Sequence, residues 1–255
     1  MKITVIIPMF NNEILTRDCI NATIENAGIE HDIIVVDDGS KEPFHDDRVM
    51  TIRSEHNEGF TAAVNRGLLS CSCDYVLVLN NDTQPYPNFL KLLVDAMEKD
   101  KDIAVACSAR VYRKKPEFIF NQALDLIKGW HRTTSEDLKE EIVYCTWVSM
   151  CSMLIRNEAL RYIGLLDRRM KNHCSDNDFC LRARMAGYKV ALVPKSKVFH
   201  YGETTIHQNN ITPNKDQEVL IKKIAGGDMQ NILNELPFDI SSNTWGKLEL
   251  VLYKK

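Results

Sequence analysis

No stretch of this 255-residue chain approaches the roughly 18 to 20 consecutive apolar residues that a membrane-spanning helix requires. Positive charge is not in excess either. Lys and Arg number 32 against 35 Asp and Glu, a formal net charge of −3, so no global basic field is present to hold a phosphate backbone or an anionic membrane. Nucleic acid is therefore not expected as a main partner. No secretory leader is expected either: the apolar run of Met1 to Ile7 is ended by Pro8 and the polar Asn11-Asn12-Glu13, too early for a signal h-region, so a cytoplasmic location is expected. Internal repeats and low-complexity tracts are absent. The first strand-like run is followed neither by G-x-G-x-x-G nor by G-x-x-x-x-G-K-[ST], and no G-x-S-x-G occurs. These absences disfavour dinucleotide-binding dehydrogenases, P-loop enzymes and the common α/β serine hydrolases.

Cysteine is not scarce, but the eight are scattered (Cys19, Cys71, Cys73, Cys107, Cys145, Cys151, Cys174, Cys180). A chain of this size builds a core without staples, so they read as reduced thiols that mostly pack. Cys71-Ser72-Cys73 lacks the spacing and the second Cys/His pair of a structural zinc site.

What is present is an alternation of strand-like and helix-like segments. Ile3 to Ile7, Ile33 to Val36 and Tyr75 to Leu79 are continuous apolar runs, as expected of strands covered on both faces by helices. Between them Phe60, Ala63, Val64, Gly67 and Leu68 form one helical stripe, and after Pro87 Leu90, Leu93, Val94 and Met97 form another. The pattern predicts an α/β fold with a Rossmann-like, mostly parallel central sheet. From Ile103 a strand runs through Val111, followed by a basic stretch at Arg113 to Pro116 and a region expected to be antiparallel or irregular. Ile142 to Ile155 reads as strand-rich, Arg156 to Ile163 as a short helix, Asp176 to Ala186 as a helix closed by Gly187, and Lys189 to Val193 and Ser196 to Phe199 as strands.

Three acidic clusters fall where open α/β sheets place ligands. Val36-Asp37-Asp38-Gly39-Ser40 is either a strand-ending turn or a site where a carboxylate takes hydrogen bonds from a nucleotide. Asn80-Asn81-Asp82-Thr83 is an oxygen-rich turn after an apolar strand, with Asp82 available to a hard divalent cation. Ser175-Asp176-Asn177-Asp178 fits a capping box, Ser175 as N-cap and Asp178 as its partner, which leaves Asp176 free to act as a general base. His200 follows a short strand and could ligate a metal through neutral imidazole.

The order of these segments resembles the inverting GT-A glycosyltransferases of family 2, with a rhamnosyltransferase-like subgroup within its range. The resemblance rests on Ile3 to Pro8 with Asn11, Ile34 to Ser40, Asn57 to Gly67, Leu79 to Asp82, Asp176 to Tyr188, and His200-Tyr201-Gly202. It implies a GT-A domain over 1–205, with 1–100 binding a UDP-, dTDP- or GDP-linked sugar and 101–205, carrying a smaller antiparallel sheet, binding the acceptor. A helical extension is expected over 206–255.

By the same resemblance Asp38 contacts base or ribose, Pro8, Asn11, Asn57, Asn65 and Asn81 line the nucleotide-sugar site, and Asp82 with His200 holds Mn²⁺ or Mg²⁺. Asp176 is the catalytic base, with Ser175 where the family has glutamate, and Trp147 and Asp178 lie on the acceptor side; Trp147 reads equally well as a core aromatic. The acceptor is a hydroxyl of a glycan, a lipid-linked or a protein-linked molecule, the lipid-linked case bringing peripheral membrane contact. The C-terminal segment packs on the acceptor half or supports a homodimer. The Asn80 and Ser175 departures leave a catalytically weak or inactive nucleotide-sugar-binding protein as the alternative.

Overall fold

Strands whose residues are apolar without alternation must be covered on both sides, and the computed structural model shows how. It describes residues 1–112, 115–120, 132–134, 139–201 and 214–225. Strands β1 (Ile3–Met9), β2 (Asp32–Asp37), β3 (Met50–Arg53) and β4 (Tyr75–Leu79) run parallel, in the spatial order β3-β2-β1-β4. Beyond β4 the sheet continues through β10 (Ser152–Arg156), β6 (Ile103–Tyr112), β11 (Lys189–His200) and β5 (Thr83–Pro85). β10 is antiparallel to both neighbours, Leu154 lying opposite Leu77 on one side and Ala106 on the other. β11 runs parallel to β6 with a register shift between Val193 and Lys197, so the two short strands expected from the sequence are one bulged strand. The antiparallel region expected after Val111 is built by β7 (Lys115–Phe120), β8 (Arg132–Thr134) and β9 (Val143–Cys145), which pair with β6, β7 and β11 respectively.

Successive residues of β1 feed opposite cores. Ile6 joins Ala63, Val64 and Leu68 of α2 (Phe60–Ser70) and Phe179, Cys180 and Ala183 of α5 (Ser175–Met185). Val5 and Ile7 join Cys19 and Ile20 of α1 (Glu13–Asn26) and Phe89, Leu90 and Leu93 of α3 (Phe89–Lys99). α2 packs so closely on β1 that a Cβ at Gly67 would lie 2.6 Å from Ile6 Cγ2. Gly67→Ala is therefore expected to lose stability. Overpacking a rigid core costs about 1–3 kcal/mol, more than the roughly 1 kcal/mol of helix propensity that alanine gains over glycine. The urea midpoint should fall, and a rise would show that Ile6 can yield.

Two boundaries differ from expectation. α3 starts at Phe89, after Asn88 in the left-handed region (φ 63), rather than directly after Pro87. α5 starts at Ser175, its N-cap is Cys174 (φ 61), and no side chain caps it. The capping box assigned to Ser175 and Asp178 is thus absent, because Cys174 turns the chain one residue earlier than a Ser175 cap would. Gly187, at φ +85, does close the helix as expected.

Buried Arg156 fastens this framework. Its guanidinium donates to the Met97 carbonyl (2.7 Å), the Ile103 carbonyl (3.2 Å) and the Tyr75 hydroxyl (2.7 Å), joining α3, β6 and β4. A 3-10 turn (Asn157–Ala159) and α4 (Leu160–Ile163) follow. Of the C-terminal extension the structure describes α6 (Asn214–Ala225). Arg113, Lys114 and Gly202, together with most of the expected extension over 206–255, lie outside the described residues. Among the described residues no helix is long and apolar enough to cross a membrane.

Candidate active site

The carboxyl ends of β1, β2 and β4 lie side by side, and each carries a polar turn. Asp37 ends β2 fully buried, accepting the backbone N–H of Ser40 (2.8 Å) and of Phe44 (3.2 Å) and the guanidinium of Arg53. Burial raises this carboxyl, but those donors outweigh it and hold it below its ordinary value. Asp37 shapes the turn, and Asp38 faces across it. The Asp38 carboxylate accepts the N–H groups of Glu58 (3.1 Å) and Gly59 (2.8 Å) at the start of α2. Burial is the largest influence on Asp38 and raises it despite these bonds. Gly39, at φ +75, lets the turn close on His56, whose backbone carbon would sit 2.5 Å from a Cβ there.

Asn11 locks the β1 turn to this one, its N–H donating to Ser40 Oγ (2.7 Å) and its Oδ1 accepting from Lys41 N (3.0 Å). Pro8 is buried within β1 beside Val36, and Asn57 is exposed on the loop before α2. Pro8, Asn11, Asp38 and Asn57 thus gather along one sheet edge. Asn65 and Asn81 are engaged elsewhere. Both ends of the Asn65 amide hold the Leu166 backbone, Nδ2 donating to its carbonyl (2.8 Å) and Oδ1 accepting its N–H (2.9 Å). The Asn81 amide donates to Thr16 Oγ1 of α1 (3.0 Å). Asn65 is accordingly a staple between α2 and the 166 loop, and Asn81 one between the β4 turn and α1.

Beyond β4 the chain turns at Asn80, whose carbonyl accepts from Thr83 N (3.2 Å), and returns as β5 against β11. Because His200 pairs with Thr83, the imidazole comes back over the turn: His200 Nε2 lies 2.9 Å from Asp82 Oδ1 and 3.3 Å from Asn80 Nδ2. Both the Asp82 and His200 side chains are 8% exposed. Among the described residues Asn80 Oδ1 and His200 Nδ1 are buried without a hydrogen-bond partner, a cost a folded chain seldom bears without a purpose.

Asp176 reaches the same place from the other half. Half-buried in the first turn of α5, its carboxylate accepts the N–H groups of Asn177 (2.9 Å) and Met150. Burial pushes it up to about 6 against those bonds. The next residue, Cys151, ties the two carboxylates together. Its carbonyl accepts from Asn80 N (3.0 Å), and its thiol, raised first by burial, is raised further by the charges of both Asp82 and Asp176 and lowered by Arg110. The two carboxylates therefore flank one short segment, 150–151, with the Arg110 guanidinium nearby. Arg110 escaped sequence reasoning, although it is the sole charge in Ile103–Tyr112, and a lone charge in an apolar strand is the signal that would have found it.

The two residues assigned to the acceptor side belong to the interior. Trp147, 8% exposed, joins the buried cluster of Met150, Phe179 and Cys180. Asp178 is fully buried and paired with Arg182 (2.9 Å) one helical turn on and with Lys223 of α6. Lys223 also holds Asp167 (2.9 Å), while Asp216 of α6 accepts the N–H groups of Asn172 (2.7 Å) and His173 (2.8 Å). These anchors of α6 beneath the Asp176 turn were not visible in the polar C-terminal sequence.

Comparison with known proteins gives the family and the fold. Residues 4–163 match the model of a family described as glycosyl transferase family 2. An uncharacterized glycosyltransferase of Rickettsia typhi is 26% identical over 216 residues, 80% of this chain and 65% of that protein. The pre-mycofactocin glycosyltransferase of Mycobacterium tuberculosis is 26% identical over 215 residues, 80% of this chain and 43% of that protein. The chain thus spans between about two fifths and two thirds of the length of these relatives. Among solved structures, GalNAc-T7 with UDP, GalNAc and Mn²⁺ superposes with a TM-score of 0.67 at 15% identity, over 98% of this chain and 54% of that one. S. aureus TarS 1-349 in complex with UDP does so with a TM-score of 0.61 at 15% identity, over 99% and 70%. At such identity the likeness establishes the fold, GT-A.

Proposed function

Since the chain belongs to glycosyl transferase family 2, we propose that it transfers a sugar from a nucleotide-diphosphate donor to a hydroxyl of a glycan, lipid-linked or protein-linked acceptor, with inversion at the anomeric carbon. The observation that carries this reading is that the charges of Asp82 and Asp176 both act on Cys151, which supports a diphosphate-side carboxylate and a basic carboxylate serving one site. The nucleotide lies along the edge formed by Asn11, Asp38 and Asn57. Asp176 takes the proton of the attacking hydroxyl at its carboxylate oxygen. The Met150 and Asn177 N–H groups fix its orientation, and burial keeps it near 6, close to neutral working pH, where a general base is most effective.

A divalent cation fits the opposite wall. The unpartnered amide oxygen of Asn80, the Asp82 carboxylate and the His200 imidazole supply oxygen and nitrogen ligands suited to Mn²⁺ or Mg²⁺. When bound there, such an ion would offset charge developing on the departing diphosphate. The Arg110 guanidinium adds positive charge from β6 on the same side.

Thermal unfolding with UDP, dTDP or GDP, with and without Mn²⁺, tests the binding half of this reading, because a ligand selective for the native state stabilises it. One nucleotide should raise the melting temperature, more so with Mn²⁺, and His200→Ala should abolish the metal-dependent increment. An increment that survives this substitution would move the cation elsewhere. The presence of Asn80 and Ser175 where the family carries acids favours a second reading, a nucleotide-sugar-binding protein without turnover. It would give the same thermal shifts and release no nucleotide from any donor.

A further inference from the structure

The helix α6 is the last described element of the chain, yet its Asp216 sits beside the turn that opens α5. Asp216 is 7% exposed, and a single carboxylate oxygen, Oδ2, accepts two consecutive backbone N–H groups, those of Asn172 (2.7 Å) and His173 (2.8 Å). Both bonds are charge-assisted, and together they fix the direction of two successive peptide planes. Next comes Cys174 at φ 61, a left-handed conformation that a residue with a side chain keeps only where its surroundings impose it. That reversal starts α5 at Ser175 and so sets where Asp176 stands in the first turn.

On its other side the same segment is fastened to the start of α2. Asn172 Oδ1 accepts the Phe60 N–H (3.1 Å), the Lys171 carbonyl accepts the Thr61 N–H (2.9 Å), and the Met170 carbonyl accepts the Thr61 hydroxyl. The two residues just before, Glu58 and Gly59, are the ones that donate to Asp38. A Cβ on Gly59 would lie 3.0 Å from the Lys171 carbonyl oxygen, so backbone meets backbone there with little slack. His173 is therefore three residues from Asp176, and Asn172 is one hydrogen bond from α2.

We propose that Asp216 is a positioning residue for the transfer site: through the turn at Asn172 and His173 it sets both the nucleotide edge at Asp38 and the stance of Asp176. This rests on the sugar-transfer reading above. Asp216 touches no reacting atom. It holds the one turn that lies between donor edge and base, and so keeps the two in a fixed relation. A misplacement of about 1 Å caused far from the chemistry can cost roughly 10²-fold in rate, so a carboxylate outside the site can govern it.

The test compares variants with the unsubstituted chain by hydrogen exchange, read by mass spectrometry, and by titration with whichever of UDP, dTDP and GDP it binds. Asp216→Ala should exchange faster at 172–178 and at 58–62, with β1 and β4 unchanged, and should bind the nucleotide about tenfold more weakly, since a loosened edge must be ordered on binding. Asp216→Asn keeps an acceptor oxygen in place and should restore affinity to within about threefold. Asn172→Ala leaves α6 untouched and removes the bond to Phe60, so exchange at 58–62 should rise and affinity fall while 174–178 stays protected. Tyr75→Phe, at the opposite end of β4, should lower the urea midpoint without changing affinity, which separates positioning from general stability. Unaltered exchange at 58–62 or unaltered affinity in Asp216→Ala would overturn the proposal; if that variant does not fold, the same result in Asn172→Ala would. A chain that binds none of the three nucleotides would instead overturn the sugar-transfer reading, and exchange at 58–62 would still decide the role of Asp216.

Discussion

A protein carrying Asp176→Asn is expected to bind a nucleotide diphosphate as the unsubstituted chain does, yet to turn over roughly 10²- to 10⁴-fold more slowly, the usual contribution of a general base. It should also be the more stable of the two above pH 6. In the folded chain burial lifts the Asp176 carboxyl to about 6, above the ordinary 3.8 of an exposed aspartate. A native state that prefers the protonated form has that stability in full below the unfolded value, and loses it as pH rises through the folded one. Two units correspond to at most about 3 kcal/mol, and the half-buried position lets solvent reduce this to about 1–2 kcal/mol. Urea midpoints between pH 4 and 8 should therefore decline for the native protein and stay level for the variant. Turnover within threefold of normal would remove Asp176 from the base role, whatever the stability did.

Asp178→Ala, only two residues away, should do the opposite and weaken the fold. Asp178 is fully buried between Arg182 and Lys223. Removing one member of a buried ion pair costs about 3–5 kcal/mol, because the partner charge remains in the interior. Lys223 retains Asp167, and Arg182 retains the carbonyls of Ile163 and Leu165, so a loss near the low end, about 3 kcal/mol, is expected. The loss should appear as a lower urea midpoint at pH 7. A shift too small to resolve would mean that water already reaches the pair.

The sequence made the strands legible wherever both faces are covered, since Ile3 to Ile7 and Tyr75 to Leu79 admit no other reading. α1 was hidden because its buried stripe is Thr16, Cys19, Ile20 and Thr23, and two of those four are threonines. Their hydroxyls return to the carbonyls of Asn12 and Cys19, which makes them fit for a core without looking apolar. β3 was missed because an edge strand of four partly exposed residues carries little pattern. Asp82, Asp176 and His200 stand after strands and at a helix start, positions that a sequence displays. Asn65 and Asn81 each fasten a loop, and an asparagine that faces a ligand and one that fastens a loop look alike in one dimension. The Asp178 to Lys223 pairing joins residues 45 apart, and no local rule reports such a partner.

The insertion of β10 between β4 and β6 bears on how the chain matures on the ribosome. β4 has β1 on one side and β10 on the other, and β10 begins 73 residues after β4 ends. Until Arg156 has left the exit tunnel, the parallel half displays an apolar edge ready to pair with any passing strand. That interval of synthesis is the one in which chaperone protection matters most for this protein.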